Sequence, residues 1–174
     1  LNSIKSIENI KYPKELFEVI YVNDNSVDNS LKVLQQKIKS ENIKIIEFKT
    51  DKNNTIGSKK RAVNFAISHA KGSIIATTDA DCIVKPDWLD ILISYFDDNT
   101  AFVSGAVKFN SDGSLWNRLQ QLEFSGLVLA GGGLIMENKP TICNAANLAF
   151  KKDVFYEVGG YSDNLTFSSG DDEL

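Results

Sequence analysis

The chain has 174 residues, 43% hydrophobic and 24% charged, enough for one globular domain, 1–174, with a core of its own. Its 19 Lys+Arg and 23 Asp+Glu leave a net charge of −4, so no basic field points to a nucleic-acid partner. Cys82 and Cys143 form no C-x-x-C, and the single histidine, His69, excludes multi-His metal centres; reduced thiols in a cytosolic setting are expected.

In chain order, Phe17–Val22 is a short run of strand formers that ends in the turn residues Asn23 to Ser26. Asp28 is placed to cap a helix on which Leu31, Leu34 and Ile38 recur. Ile43–Phe48 reads as a second strand, and Thr50–Ser58 as a polar loop. Lys59–Ala70 carries Val63, Ala66, Ile67 and Ala70 on one helical face, and Lys71-Gly72 closes it. His69 falls in that pattern, where a structural or surface role is expected.

Ser73–Thr78 is a third strand. Pro86 suits the first turn of a helix lined by Leu89, Ile93 and Phe96. Ala101–Phe109 is expected as a strand and Leu115–Val128 as a helix. Gly131–Gly133 reads as a flexible joint, without the spacing of a dinucleotide loop. Ile142–Phe150 follows as a strand, then a short helix ending at Gly159-Gly160. This alternation predicts an α/β fold with a mainly parallel sheet and helices on both faces. Such sheets bind ligands beyond the carboxyl ends of their strands, where Asn23-Asp24 and Asp79-Ala80-Asp81 fall.

Three acidic clusters carry the candidate chemistry. In Asp79-Ala80-Asp81 an extended backbone would point both carboxylates the same way. Paired carboxylates suit Mg²⁺ or Mn²⁺, which take oxygen ligands and share them with phosphates. A solvated strand end is the alternative. Asp24 either accepts from a base N–H or fixes an Asx turn. Gly170-Asp171-Asp172-Glu173 is either a site or a mobile acidic tail.

The stretch "GSKKRAVNFAISHAKGSIIATTDADCIVKPDWL", Gly57 to Leu89, resembles the central block of the family 2 glycosyltransferases. Lys59, Ala62, Asn64, Ala70, Gly72, Asp79, Asp81 and Pro86-Asp87-Trp88-Leu89 carry the likeness. "FEVIYVNDNSVD" resembles the family's first nucleotide-contact segment, with Asn23 in place of the usual first aspartate. "CNAANLAFKKDVFYEVGGYSDNL" resembles the segment leading to the acceptor site, with Ala145 where glycine is common.

The resemblance implies a GT-A fold lacking its first strand and its C-terminal segments. Residues 1–110 would form a nucleotide-binding part and 111–174 an acceptor-binding part. It implies an inverting transfer from a nucleotide-diphosphate sugar, most simply a UDP-sugar, to a hydroxyl of a carbohydrate or lipid-linked acceptor. Cell-surface polysaccharide or glycolipid synthesis is the expected setting. Asp81 would ligate the divalent metal, Mg²⁺ or Mn²⁺. Asp79 would meet the ribose or reach the metal through water, and Asp24 the base. Lys59 opens a helix and would neutralise phosphate. Asp172 matches the family's general base, and Asp171 stands for the glutamate before it. Asn144 and Asn147 either line the acceptor side or bond to loop backbone, and Trp88 is expected to pack its helix against the sheet.

Two rival readings share parts of this pattern. One is a sugar nucleotidyltransferase, whose glycine-rich basic signature is not seen. The other is a non-catalytic module that keeps the nucleotide pocket. No apolar run reaches the roughly 18 residues of a membrane helix, and no signal peptide is visible. A cytoplasmic location is expected, with any membrane association supplied by segments outside these residues.

Overall fold

The computed structural model describes residues 2–49, 58–110, 113–139 and 143–162. Two sheets and six helices organise them. Helix α1 (Asn2–Glu8) comes first. It buries Ile4 and Ile7 and was not expected from the sequence, because seven residues give too little periodicity to read. Strand β1 (Val19–Asp24) pairs in parallel with β2 (Ile43–Phe48), from Val19 opposite Ile43 to Asp24 opposite Phe48. Helix α2 (Ser30–Lys37) makes the crossover between them.

Helix α3 (Ser58–His69) follows, and its axis lies against β1 and β2. It leads to β3 (Ile74–Thr77), α4 (Trp88–Ser94) and β4 (Phe102–Ser104). Strand β5 (Leu148–Lys151) enters between β3 and β4 and runs antiparallel to both. Helix α2 therefore joins two parallel strands, as expected, α4 joins β3 and β4, which point the same way, and the last strand fills the slot between those two. The α/β class stands, with this antiparallel insertion as the departure from a parallel sheet.

The core gathers where α1, α4 and the sheets meet. Ile7, Ile10 and Leu89 are buried together, with Val19, Ala76, Val84 and Trp88 packed around them. Two bonds fasten the loop after β3 to this core: Val84 N donates to Ser6 Oγ (3.2 Å), and Lys11 N to the Pro86 carbonyl (2.7 Å). Within its sheet β5 is central, and Leu148 and Ala149 are buried. Strands β1 and β3 are half-exposed along their whole lengths. Among the described residues each pairs along one edge only.

Helix α5 (Leu115–Met136) is longer than the expected Leu115–Val128. It runs through Gly131–Gly133, so these glycines form no joint. Gly131 is the buried one, on the strip Asn117, Gln121, Phe124, Val128 and Ile135 that faces inward. A helix tolerates glycine where flanking leucines and a close packing surface offset its entropy cost. The strand expected over Ala101–Phe109 closes after Ser104, because β5 offers only Leu148–Phe150 as partners. Helix α6 (Lys152–Glu157) ends as expected at Gly159-Gly160, both at positive φ. A Cβ on Gly160 would press on the Phe155 ring at 2.9 Å.

Candidate active site

The site is built where β3 stops. After Thr77 and Thr78 the chain turns: Cys82 N donates to the Asp79 carbonyl at 3.0 Å. The backbone of Asp79-Ala80-Asp81 is thus a turn and not an extended segment. Convergence survives the change. One ligand atom each from Asp79, Asp81 and Cys82 lies within 4.8 Å of the others. Sequence reasoning missed Cys82 as a member of this group, since only a turn brings residues 79 and 82 together.

The two carboxylates offer hard oxygen donors, which fit Mg²⁺ or Mn²⁺. The thiol fits less well. Burial, with the Asp79 and Asp81 charges, pushes Cys82 above its ordinary value, so it stays protonated near neutrality.

Helix α3 aims its first turn at this place. Lys59 Nζ lies 3.2 Å from Asp79 Oδ1, with both side chains about half exposed. Lys59, Lys60 and Arg61 follow one another, and the first turn holds no acid. Cations there oppose the helix dipole. The arrangement suits an anion that would offset both the dipole and the lysines. Lys60 is itself buried, at 2% exposure.

A small cavity opens beside the pair, lined by Lys59, Thr77, Asp79, Ala145, Leu148 and Tyr161, among others. Thr77 Oγ1 donates to the Ala145 carbonyl at 2.6 Å and ties β3 to the 3-10 turn Ala145–Asn147. Among the described residues only Asn25 and Asn138 are non-glycines at positive φ, so alanine at 145 meets no backbone strain.

Asn144 and Asn147 bond to backbone. Asn144 Oδ1 accepts from Ala146 N at 3.0 Å. Asn147 Nδ2 donates to the Ala106 carbonyl at 3.0 Å, and its Oδ1 accepts from Trp88 Nε1 at 2.8 Å. Trp88 therefore packs as expected and is also pinned to the turn that precedes β5. His69 lies exposed at the end of α3, within the structural or surface role expected, with Nδ1 2.8 Å from the Phe65 carbonyl.

Asp24 ends β1, and its carboxylate accepts from Asn25 Nδ2 at 3.4 Å. It is not one of the three groups that converge. Asn23 Oδ1 accepts weakly from Ser26 N (3.4 Å), and Asp28 Oδ1 from Ser30 N (2.9 Å). The bonds with Ser30 hold the Asp28 carboxyl below its usual value. Asp171 and Asp172 lie outside the described residues.

The profile "Glycosyl transferase family 2" matches residues 1–159. The chain belongs to glycosyl transferase family 2. Relatives include the poly-beta-1,6-N-acetyl-D-glucosamine synthase of Staphylococcus epidermidis, 22% identical over 172 residues. That match takes 94% of this chain and 39% of the synthase. The beta-monoglucosyldiacylglycerol synthase of Nostoc sp. is 28% identical over 127 residues, covering 70% of this chain and 26% of the enzyme. Among solved structures, S. aureus TarS 1–349 in complex with UDP-GlcNAc superposes with a TM-score of 0.59 at 17% identity. The superposition covers 90% of this chain and 42% of that one. The likeness gives this family 2 domain a GT-A fold. The chain spans about two fifths of the length of the synthase it matches almost end to end.

No helix of the described residues is long and apolar enough to cross a membrane.

Proposed function

We propose that this family 2 domain transfers a sugar from a nucleotide-diphosphate donor, most simply a UDP-sugar, to a hydroxyl acceptor. The observation that carries the reading is the convergence of Asp79 and Asp81 beside Lys59 at the start of α3. Asp81 is the direct ligand to Mg²⁺ or Mn²⁺. Asp79 meets the ribose or reaches the cation through water. A divalent cation held there stabilises the charge that grows on the departing diphosphate. Lys59 leaves Asp79 for a phosphate oxygen when donor binds, and Asp24 takes the base.

Asp172 accepts the proton of the attacking hydroxyl, with Asp171 beside it against donor or acceptor. Attack opposite the leaving diphosphate inverts the anomeric carbon. Residues 1–110 hold the nucleotide and 111–174 the acceptor. The relatives' names, a polysaccharide synthase and a glycolipid synthase, support a carbohydrate or lipid-linked acceptor in cell-surface synthesis. A cytoplasmic site, at the inner face of a membrane, agrees with a UDP-sugar supply.

Thermal unfolding with a panel of nucleotide sugars, with and without Mn²⁺, tests the donor half. Stabilisation by a uridine diphosphate sugar that appears only with Mn²⁺ is expected. Equal shifts with and without metal would count against the metal reading. Asp172→Asn is expected to abolish transfer while nucleotide affinity stays within a few fold.

A further inference from the structure

The tail of β4 lies along the first half of α5. Gln121 Nε2 donates to the Phe109 carbonyl at 2.9 Å, and Asn117 Nδ2 to the Asn110 carbonyl at 3.3 Å. The Phe109 and Phe124 rings meet with centroids 4.5 Å apart. Between tail and helix lies an open groove of about 280 Å³, lined by Lys108, Phe109, Asn110, Gln121 and Ser125. That is near the lower end of ligand-site volumes, roughly 300–1,000 Å³.

The lining is unusual for packing. Phe109 is 48% exposed, and the other four members are two amides, a hydroxyl and an ammonium. No carboxylate contributes, so nothing favours a cation. An acyl chain would bury these polar groups without partners, at a cost. An aromatic face ringed by amides and a hydroxyl suits a polyol ring with one apolar face and many hydroxyls.

The groove connects to the site already described. Asn147 Nδ2 holds the Ala106 carbonyl, and the turn that ends at Asn147 supplies Ala145 to the cavity beside Asp79. From Ala106 to Phe109 the chain spans at most about 10 Å. We infer that the Phe109–Gln121–Ser125 groove is a saccharide subsite that holds an acceptor glycan a few units back from its growing end. The inference rests on the transferase reading and adds the substrate class of its acceptor: an oligosaccharide instead of a single hydroxyl compound.

The test titrates the chain with β-linked N-acetylglucosamine oligosaccharides of one to five units, by saturation-transfer NMR and calorimetry. Affinity is expected to rise about tenfold from the monomer to the tetramer. Phe109→Ala should weaken the tetramer at least fivefold, and Phe109→Trp should retain it. Ser125→Trp fills the groove from the helix side while keeping both Phe109 and Phe124 and should weaken binding equally, so a folding defect in Phe109→Ala leaves the test intact. Affinity independent of length, or unchanged by both blocking variants, would overturn the inference. So would full displacement of the tetramer by UDP with Mn²⁺, or retention of octanoate with no saccharide bound. A parallel UDP–Mn²⁺ titration reports on the transferase reading alone. Its failure with saccharide binding intact would remove that reading and leave the groove a saccharide site without its acceptor role.

Discussion

Lys59 Nζ sits 3.2 Å from Asp79 Oδ1 and joins the start of α3 to the turn after β3. Both groups are well exposed, so the pair adds at most about 1 kcal/mol to stability. Its consequence is for binding. A lysine already beside the acidic turn needs a small movement to reach a diphosphate held there. Lys59→Met is expected to weaken UDP binding in the presence of Mn²⁺ about tenfold, a loss of about 1.4 kcal/mol. The same change should leave Mn²⁺ alone binding as well or better, because Asp79 loses a competing cation. Calorimetry with each ligand separately checks both halves. Unchanged UDP affinity would place the phosphates elsewhere.

Metal preference follows from the same turn. Asp81→Asn removes one of two hard donors and should lower Mn²⁺ affinity at least tenfold, read by electron paramagnetic resonance of the free ion. Cys82→Ala should shift Mn²⁺ affinity less than twofold, since the protonated thiol is a poor partner for a hard ion. Cd²⁺, which favours sulfur, should instead lose affinity in Cys82→Ala. A large Mn²⁺ loss in that variant would make the thiol a true ligand.

Asn147 holds three neighbours at once: Trp88 Nε1, the Ala106 carbonyl, and Gly105 N through its own carbonyl. Asn147→Ala loses the two side-chain bonds and strands the indole N–H, with an expected cost of about 2–3 kcal/mol. Gly105 is small because a Cβ there would overlap the Asn147 amide. Gly105→Ala should cost about 1–3 kcal/mol alone. In the Asn147→Ala background it should cost much less, since the clashing amide is gone. Chemical denaturation of the double-mutant cycle measures this. Strict additivity would show that the two residues do not share the space.

The sequence made some of this legible and hid the rest for physical reasons. Ile43–Phe48 was bounded correctly, and Lys59–Ala70 nearly so, because each has a clean period and an abrupt end. The middle of α5 was not, because glycine reads as a breaker while its tolerance depends on packing that the sequence does not display. The insertion of β5 between β3 and β4 is a long-range pairing without local signal. At the site, Asp79, Asp81 and Lys59 were named from motif and spacing, and the structure brings them together. Cys82 joined them only because Asp79 begins a turn. Asp24 lies apart from that group, and Asp171 and Asp172 fall outside the described residues, so their roles rest on the motif alone.

Acid should loosen the β1–β2 part of the fold through Glu18. Its carboxylate pairs with Lys44 Nζ at 2.8 Å and accepts from Lys71 N, joining the start of β1, strand β2 and the end of α3. Partial burial alone would raise its pKa; the Lys44 bond and the Lys71 amide outweigh that and hold it below the ordinary glutamate value. The folded value is thus depressed relative to the unfolded chain, about 4.3. Such a group contributes its stabilisation fully above the unfolded value and loses it as pH falls through the folded one. Glu18→Gln should therefore cost about 0.5–1 kcal/mol at neutral pH, the range for a solvent-screened pair. That difference should shrink toward zero as pH falls below about 4.3. Urea denaturation of both proteins from pH 7 down to pH 3.5 checks it, and a difference that stays constant with pH would show that the loss is one of packing and not of charge.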